Sequence, residues 1–300
     1  MYQAHFGLTG KPFGLTPDVG LRWPEPSQQI ALNTLELALA EGEGFIVVIG
    51  EVGLGKTMLC RTLIHRLKAP FRSAWIPDPQ LSPGRLRAAV AEELGLSISS
   101  RSSVQQLHRQ LQQHLLELAR AGQRPVLLID EAQALSTTTL EAVRLLTNLE
   151  TERRKLLQVV LFGQPELEQR LARPDLRQLR QRITFHCRLA PLDRAAVSAY
   201  VEHRCRSAGA AGTLFTRPAQ FRLARASHGV PRRVNVLAHK ALLAAWGKGR
   251  RLAGWAEVGR AIRDTDTLQA TAGFGPRLAR AAVLGGLLVA AWSWLGGLQP

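Results

Sequence analysis

A phosphate-binding motif constrains the fold of this chain more than any other feature. Residues 50–57 fit the pattern G-x-x-x-x-G-K-[ST]; they follow the β-branched run Phe45–Ile49 and open a helical stretch that reaches about Leu67. The pattern is specific when it joins a buried strand to a helix in this way. It therefore predicts a strand–loop–helix unit of an α/β protein, with loop amides that converge on phosphate oxygens.

Each residue type in this loop suits the binding of a nucleotide. Glycines let backbone amides approach the phosphates, and the helix N-terminus adds positive potential. We predict that Lys56 reaches the β- and γ-phosphates of ATP and that Thr57 offers its hydroxyl to Mg²⁺. The predicted nucleotide-binding residues of the loop are Gly50, Glu51, Val52, Gly53, Leu54, Gly55, Lys56 and Thr57.

A pair of carboxylates follows another apolar run. Asp130 and Glu131 come directly after residues 126–129, and ligands of open α/β sheets bind at the carboxyl ends of the strands. We predict that Asp130 holds Mg²⁺ and that Glu131 orients and deprotonates the attacking water. The pair favours ATP hydrolysis over nucleotide binding alone.

Apolar runs alternate with helical patterns through the first 190 residues. The runs occupy residues 45–49, 73–76, 126–129, 157–162 and 183–187. This alternation implies a parallel sheet with helices on both faces. After Pro191 only helical patterns follow, at residues 193–207, 217–227, 232–246 and 255–264. We predict a core domain of residues 1–190 and a helical domain of residues 191–264.

Polar residues elsewhere are further candidates for the site. Gln164 follows the fourth run, where a neutral donor can sense the γ-phosphate or position water. Arg180 and Arg182 precede the fifth run; they are either solvated, or one of them reaches a neighbouring subunit's nucleotide as an arginine finger. Arg232 follows Pro231 in the first turn of a helix, where a cation opposes the helix dipole and a bound phosphate would compensate.

Net charge leaves several kinds of anionic ligand open, and the cysteine content argues against a disulfide-bonded or zinc-binding protein. The formal net charge is +16, which is compatible with nucleic acid, anionic lipid or phosphate ligands. An arginine-rich composition can also reflect genome composition. Cys60, Cys187 and Cys205 lack C-x-x-C spacing, so neither a disulfide framework nor a zinc site is indicated.

The last part of the chain has a different character. Residues 281–300 are uncharged, with two arginines before them and two tryptophans near their end. These flanking residues are Arg277, Arg280, Trp292 and Trp294. We interpret residues 277–300 as a transmembrane helix, with a buried core helix as the competing interpretation, and place the rest of the chain in the cytoplasm. Residues 265–276, rich in Thr, Gly and Ala, are the predicted linker.

The positions described so far resemble those of AAA+ ATPases typified by general secretion pathway protein A and the MSHA pilus biogenesis protein. The most distinctive matches are residues 2–18 and Gly163-Gln164-Pro165-Glu166-Leu167. Other matches are residues 41–45, 50–57, Asp130-Glu131-Ala132-Gln133, 181–183 and 229–233. The resemblance implies an α/β fold, with a P-loop AAA+ core of five parallel strands and a C-terminal helical lid domain. One C-terminal transmembrane helix would follow.

The resemblance also implies roles and partners. Gln164 would be sensor 1, Arg180 or Arg182 the finger, and Arg232 sensor 2, in a ring or partial ring of identical subunits. In this family the ATPase works at the bacterial inner membrane in building secretion or type IV pilus machinery. Exosortase-associated ATPases look similar as well, so the resemblance leaves the pathway open.

Our leading hypothesis is therefore a single-pass inner-membrane ATPase with its ATPase domain in the cytoplasm. It would use ATP and Mg²⁺ to drive or regulate assembly of a secretion or type IV (MSHA-like) pilus complex. A DNA-transposition helper ATPase is the first alternative, and it predicts ATP-dependent, salt-sensitive DNA binding. A nucleotide-switched scaffold with little turnover is the second.

Overall fold

A computed structural model of the chain describes residues 2–14, 26–98, 103–150 and 155–273, with only the backbone of 26–27 and 266–273. The described residues cluster into two units. The core unit contains Gly14–Ala196 and Gly229–Arg233. The helical unit contains the residues up to Phe13, Val197–His228 and the described residues from Val234 onwards.

Five parallel strands form the sheet of the core unit. They are β1 (Phe45–Ile49), β2 (Phe71–Ile76), β3 (Arg124–Ile129), β4 (Gln158–Gly163) and β5 (Phe185–Arg188). Their order across the sheet is β2-β3-β4-β1-β5, and each neighbouring pair is parallel. The predicted parallel five-stranded sheet is confirmed.

The described residues contain twelve α-helices in addition to short 3₁₀ turns. In chain order they are α1 (Tyr2–His5), α2 (Pro26–Glu41), α3 (Lys56–Arg66), α4 (Pro83–Glu93), α5 (Val104–Arg120), α6 (Thr137–Thr147), α7 (Pro165–Leu171), α8 (Arg177–Arg180), α9 (Arg194–Ser207), α10 (Arg217–Ser227), α11 (Pro231–Trp246) and α12 (Trp255–Gly273). Serine side chains start three of the core helices: Ser82, Ser103 and Ser136 each accept a hydrogen bond from a first-turn amide of α4, α5 and α6. These serines act as N-caps, which explains where the helices begin.

Helices cover both faces of the sheet because its central strands are apolar on both sides. Val47 of β1 lies in a buried cluster with Leu86 of α4 and Leu111 of α5. Its neighbour Val48 lies in a second cluster, with Leu35 of α2 and Leu59 of α3. Successive side chains of a strand point to opposite faces, so a continuous apolar run such as β1 supplies both clusters.

The opening residues of the chain belong to the helical unit, which differs from the predicted core of residues 1–190. The Tyr2 hydroxyl lies 3.1 Å from Nδ1 of His239, and Nε of the buried Arg204 donates to the Pro12 carbonyl at 2.6 Å. A buried guanidinium needs acceptors, and the opening segment supplies one of them. Because these partners are far apart in sequence, local patterns could not predict that the opening segment belongs to the helical unit.

The C-terminal helix of the described region is longer than the sequence pattern indicated. The predicted linker, residues 265–276, is helical as far as Gly273, and the Thr265 hydroxyl donates to the Ala261 carbonyl within the helix. In the described part of the chain no helix is long and apolar enough to span a membrane. The predicted transmembrane helix, residues 277–300, lies outside the described residues.

Candidate nucleotide-binding and hydrolysis site

The loop between β1 and α3 has the backbone conformation that its glycines predict. Gly53 and Gly55 have φ angles of +86° and +92°, in the left-handed region that glycine adopts without strain. A Cβ atom at Gly53 would lie 2.8 Å from the Cβ atom of Arg232. Glycine at position 53 therefore permits two things: the left-handed backbone of the turn, and the close approach of the segment that carries Arg232.

The ammonium group of Lys56 lies inside this loop. Only 5% of Lys56 is exposed, and its Nζ atom donates to the carbonyls of Gly50 at 2.8 Å and Glu51 at 3.2 Å. Burial lowers the pKa of Lys56, while the negative charges of Glu131 and Asp130 act in the opposite direction. The sequence-predicted lysine and both carboxylates are thus brought into one electrostatic neighbourhood.

Thr57 and Asp130 meet beside the loop. Asp130 is 2% exposed at the end of β3. Burial raises its pKa; hydrogen bonds from the Thr57 hydroxyl and from the Glu131 amide act against that rise. A hydroxyl beside a buried carboxylate is a set of hard oxygen ligands of the kind that Mg²⁺ takes at phosphate-binding sites, so the residues present fit the predicted metal.

Glu131 turns its carboxylate towards two side-chain amides. Its backbone is left-handed, with φ of 49°, a conformation that costs a residue with a side chain about 1–2 kcal/mol. Its Oε2 atom accepts hydrogen bonds from Nε2 of Gln164 at 3.1 Å and from Nε2 of Gln133. The structure therefore brings two of the predicted site residues, Glu131 and Gln164, into direct contact.

The segment Gly229–Arg233 packs against the phosphate-binding loop. The Arg232 amide donates to the Gly53 carbonyl at 3.3 Å, and a Cβ atom at Gly53 would lie 3.0 Å from Cγ1 of Val230. Gly229, with φ of +72°, passes so close to Leu192 that a Cβ atom would lie 2.1 Å from its carbonyl oxygen. The charge pattern predicted a phosphate-directed role for Arg232, but nothing in it predicted the contact through Val230.

Arg180 and Arg182 lie apart from these groups in the single chain. Arg180 is exposed and donates to the Ala172 carbonyl at 3.4 Å, and Arg182 is half-buried in the turn before β5. Within the described residues, neither joins the hydrogen-bonded cluster of Glu131. An arginine that acts on a neighbouring subunit's nucleotide has this kind of placement, so the geometry leaves the finger role as a prediction.

Three residues of the site were not identified from the sequence. Gln133 and Arg170 contribute to the hydrogen bonds around Glu131. Gln28 of α2 donates to the carbonyl of Leu54, whose side chain is buried in the core. The only available signal was that Gln133 ends the matched run Asp130-Glu131-Ala132-Gln133; Gln28 and Arg170 lie in no recognisable pattern.

Comparison with known proteins identifies the domain. Residues 39–171 match the AAA domain family, and they contain the phosphate-binding loop, both carboxylates and Gln164. The chain contains an AAA domain. General secretion pathway protein A of Aeromonas hydrophila is 40% identical over 302 residues, which cover 98% of this chain and 54% of that protein. The predicted resemblance is confirmed, and the chain spans about half the length of this curated relative.

Solved structures resemble this chain in fold. Cdc6p from Pyrobaculum aerophilum matches with a TM-score of 0.63 and 19% identity, over 81% of this chain and 67% of that one. The ORC2 protein of Aeropyrum pernix matches with a TM-score of 0.63 and 15% identity, over 85% of this chain and 71% of that one. At such identities the likeness concerns the fold alone.

Replacing Gly229 with Ala tests whether the close packing on Leu192 matters. We expect Gly229→Ala to lower the free energy of unfolding by more than about 3 kcal/mol, because backbone strain adds to a steric clash. The control is Gly122→Ala, since Gly122 has φ of +76° but open space around it and should cost only the strain, about 1–2 kcal/mol. Urea unfolding measures both values, and equal losses would contradict the packing argument.

Proposed function

We propose that this chain is an AAA+ ATPase that hydrolyses ATP at the inner membrane to drive or regulate assembly of a secretion or type IV pilus complex of the cell envelope. The observation that carries the proposal is the 40% identity to general secretion pathway protein A, which extends over 98% of the chain. A match of this extent includes the helical unit as well as the AAA domain. It therefore supports a shared role more strongly than the phosphate-binding loop alone.

The geometry supports a separate role for each of the residues around the phosphates. Lys56 and the loop amides would bind the β- and γ-phosphates, and Arg232 would approach the same nucleotide from the segment packed on Gly53. Glu131 would orient and deprotonate the attacking water, with Gln164 holding the carboxylate in place. Thr57 and Asp130 would hold Mg²⁺, which when bound neutralises charge that develops on the phosphate oxygens.

Assembly into a ring or partial ring would complete the site. Arg180 is exposed and Arg182 half-exposed, so either guanidinium is accessible to a neighbouring subunit. A cationic finger supplied by a neighbour accelerates phosphoryl transfer by several orders of magnitude in other ATPases and GTPases. Turnover that rises steeply with protein concentration is the expected consequence, and it would separate this proposal from a scaffold with little turnover.

Membrane anchoring is the part of the proposal that rests on sequence. The apolar residues 281–300 follow Arg277 and Arg280, a pattern typical of a transmembrane helix that keeps the preceding domain in the cytoplasm. The anchor would hold the ATPase next to the envelope complex, and the ATP cycle would be coupled to that complex through this helix.

Membrane fractionation together with a secretion or pilus assay tests the proposal. Cells that lack the protein would receive the wild type, Lys56→Ala, Glu131→Gln or a chain that ends at Gly273. We expect the first three proteins in the membrane fraction, the truncated chain in the soluble fraction, and restored assembly with the wild type alone. Normal assembly in cells that carry Lys56→Ala or Glu131→Gln would disprove a role that depends on ATP hydrolysis.

A DNA-transposition helper remains the second candidate because of the net charge of +16. A protein that binds DNA through phosphate contacts loses affinity steeply as the salt concentration rises. A full-length protein recovered in the soluble fraction that shifts DNA only with ATP, and less at higher salt, would favour this candidate over the envelope role.

A further inference from the structure

Gln133 connects three parts of the site through hydrogen bonds. Its Nε2 atom donates to Oε2 of Glu131, and its Oε1 atom accepts from the backbone amide of Gln164 at 3.1 Å. Its own backbone carbonyl accepts from Nη1 of Arg170 at 2.6 Å. One residue therefore contacts the carboxylate after β3, the end of β4 and a side chain of α7.

The contacts made by Gln133 and Gln164 fix the orientation of the Glu131 carboxylate. Both amides donate to the same oxygen, Oε2, and hydrogen bonds to a charged acceptor are roughly twice as strong as those between neutral groups. Among the described residues, Oε1 of Glu131 has no protein partner in a hydrogen bond. The pair of amides thus holds one oxygen and leaves the other for a water molecule.

Packing does not explain the presence of glutamine at this position. The neighbouring Ala132 and Leu135 are buried in the core cluster, whereas Gln133 is half-exposed. Both ends of its side-chain amide are used, as donor and as acceptor, so a side chain of the same size without this polarity would lose both contacts. The arrangement therefore favours a role for the amide itself.

A run of contacts leads from Gln133 to the candidate finger. Arg170 lies on α7, and Ala172 closes the last turn of that helix, where its amide donates to the Glu168 carbonyl at 3.0 Å. The Ala172 carbonyl in turn accepts from Nη1 of Arg180 at 3.4 Å. A neighbouring subunit that engages Arg180 would break the Arg180–Ala172 hydrogen bond and disturb the end of α7.

We propose that Gln133 is a positioning residue that orients Glu131 and makes this orientation depend on α7 through Arg170. The inference rests on the proposed role of Glu131 as the general base. In this arrangement the state of the subunit contact at Arg180 reaches the carboxylate through Ala172, Arg170 and Gln133. A double-mutant cycle measures this coupling directly.

The first experiment compares two variants of Gln133 in the full-length protein. Gln133→Glu retains the acceptor for the Gln164 amide but places a carboxylate against Glu131, and Gln133→Met removes both polar contacts at similar size. We expect kcat to fall about 100-fold in the first and about 10-fold in the second, with KM and the Kd of a fluorescent ATP analogue unchanged in both. A residue with a purely structural role would show equal losses in the two variants, together with a lowered melting temperature.

The matched control is Gln113→Met, because Gln113 donates to Glu117 in an exposed glutamine–glutamate pair on α5. We expect it to retain the wild-type kcat. Wild-type kcat in both Gln133 variants would overturn the inference while leaving Glu131 as the base. Retained turnover in Glu131→Gln would instead overturn the proposed role of Glu131.

A double-mutant cycle between Gln133→Met and Arg170→Met tests the connection to α7. If Arg170 acts through Gln133, the double variant should lose no more of kcat than Gln133→Met alone. Multiplied losses would show that the two residues act independently, and the proposed dependence of Glu131 on α7 would then be wrong.

Discussion

Glu131→Gln is expected to reduce the ATPase rate by about 100- to 10,000-fold, the usual contribution of a general base. The amide keeps the size of the side chain, but it cannot accept the proton of the attacking water. Nucleotide affinity should be retained, because Lys56 and the loop amides are unchanged and one negative charge near the phosphates is removed. The loss should therefore appear in kcat and leave the Kd of ATP unaffected.

Steady-state turnover and titration with a fluorescent ATP analogue, both at saturating protein concentration, measure these two quantities. Glu166→Gln is the matched control, since Glu166 is exposed on α7 yet its charge also acts on Lys56. It removes the same charge from the same neighbourhood without touching the proposed base. Similar losses in both variants would mean that the local charge, rather than proton transfer at Glu131, governs the rate.

The strands of the core could be predicted because their signals are local. A run such as Phe45–Ile49 must be buried on both faces, and the glycine-rich loop after it fixes where β1 ends and α3 begins. The helix starts also follow from single residues, such as the N-caps Ser103 and Ser136. Strand order follows less directly, since β1 pairs with β4 and β5 and with no strand adjacent in sequence.

The division into units could not be predicted from local patterns. Tyr2 contacts His239, and Arg204 contacts the Pro12 carbonyl, so the opening segment depends on residues about 200 positions away. Nothing in the composition of the opening residues indicates such partners. Residues 265–273 misled the prediction for a different reason. Threonine, alanine and glycine suggested a linker, yet these residues contain no proline and α12 continues through them.

Within the site, the residues proposed to act on the nucleotide could be named from the sequence, and the residues that contact them could not. The chemistry proposed for Lys56, Thr57, Asp130 and Glu131 is chemistry that few other side chains could perform at that spacing. Gln133 depends on where the ends of β3 and β4 lie in space, and a glutamine after an acidic pair is uninformative until its partners are seen. The positioning residues are thus determined by tertiary contacts.

Lys56→Met should raise the Kd of ATP by about 100-fold, because hydrogen bonds between charged groups contribute about 1.5–3 kcal/mol each. The side chains are similar in length, and the substitution removes a buried ammonium whose pKa is already lowered by burial. The carbonyls of Gly50 and Glu51 lose a donor, so the free energy of unfolding should fall by no more than about 1–3 kcal/mol. Lys68→Met, at an exposed lysine just after α3, is the control.

The stabilisation of the protein by ATP separates binding from chemistry in these variants. A ligand that binds only the folded state raises the melting temperature according to its concentration relative to Kd. With ATP at about ten times the wild-type Kd, the melting temperatures of the wild type, Lys68→Met and Glu131→Gln should rise together, and that of Lys56→Met should stay close to its nucleotide-free value. An equal rise in Lys56→Met would show that the loop does not hold the phosphates through its lysine. The roles proposed for Thr57 and Glu131 assume phosphates in that position, so they would then lose their support.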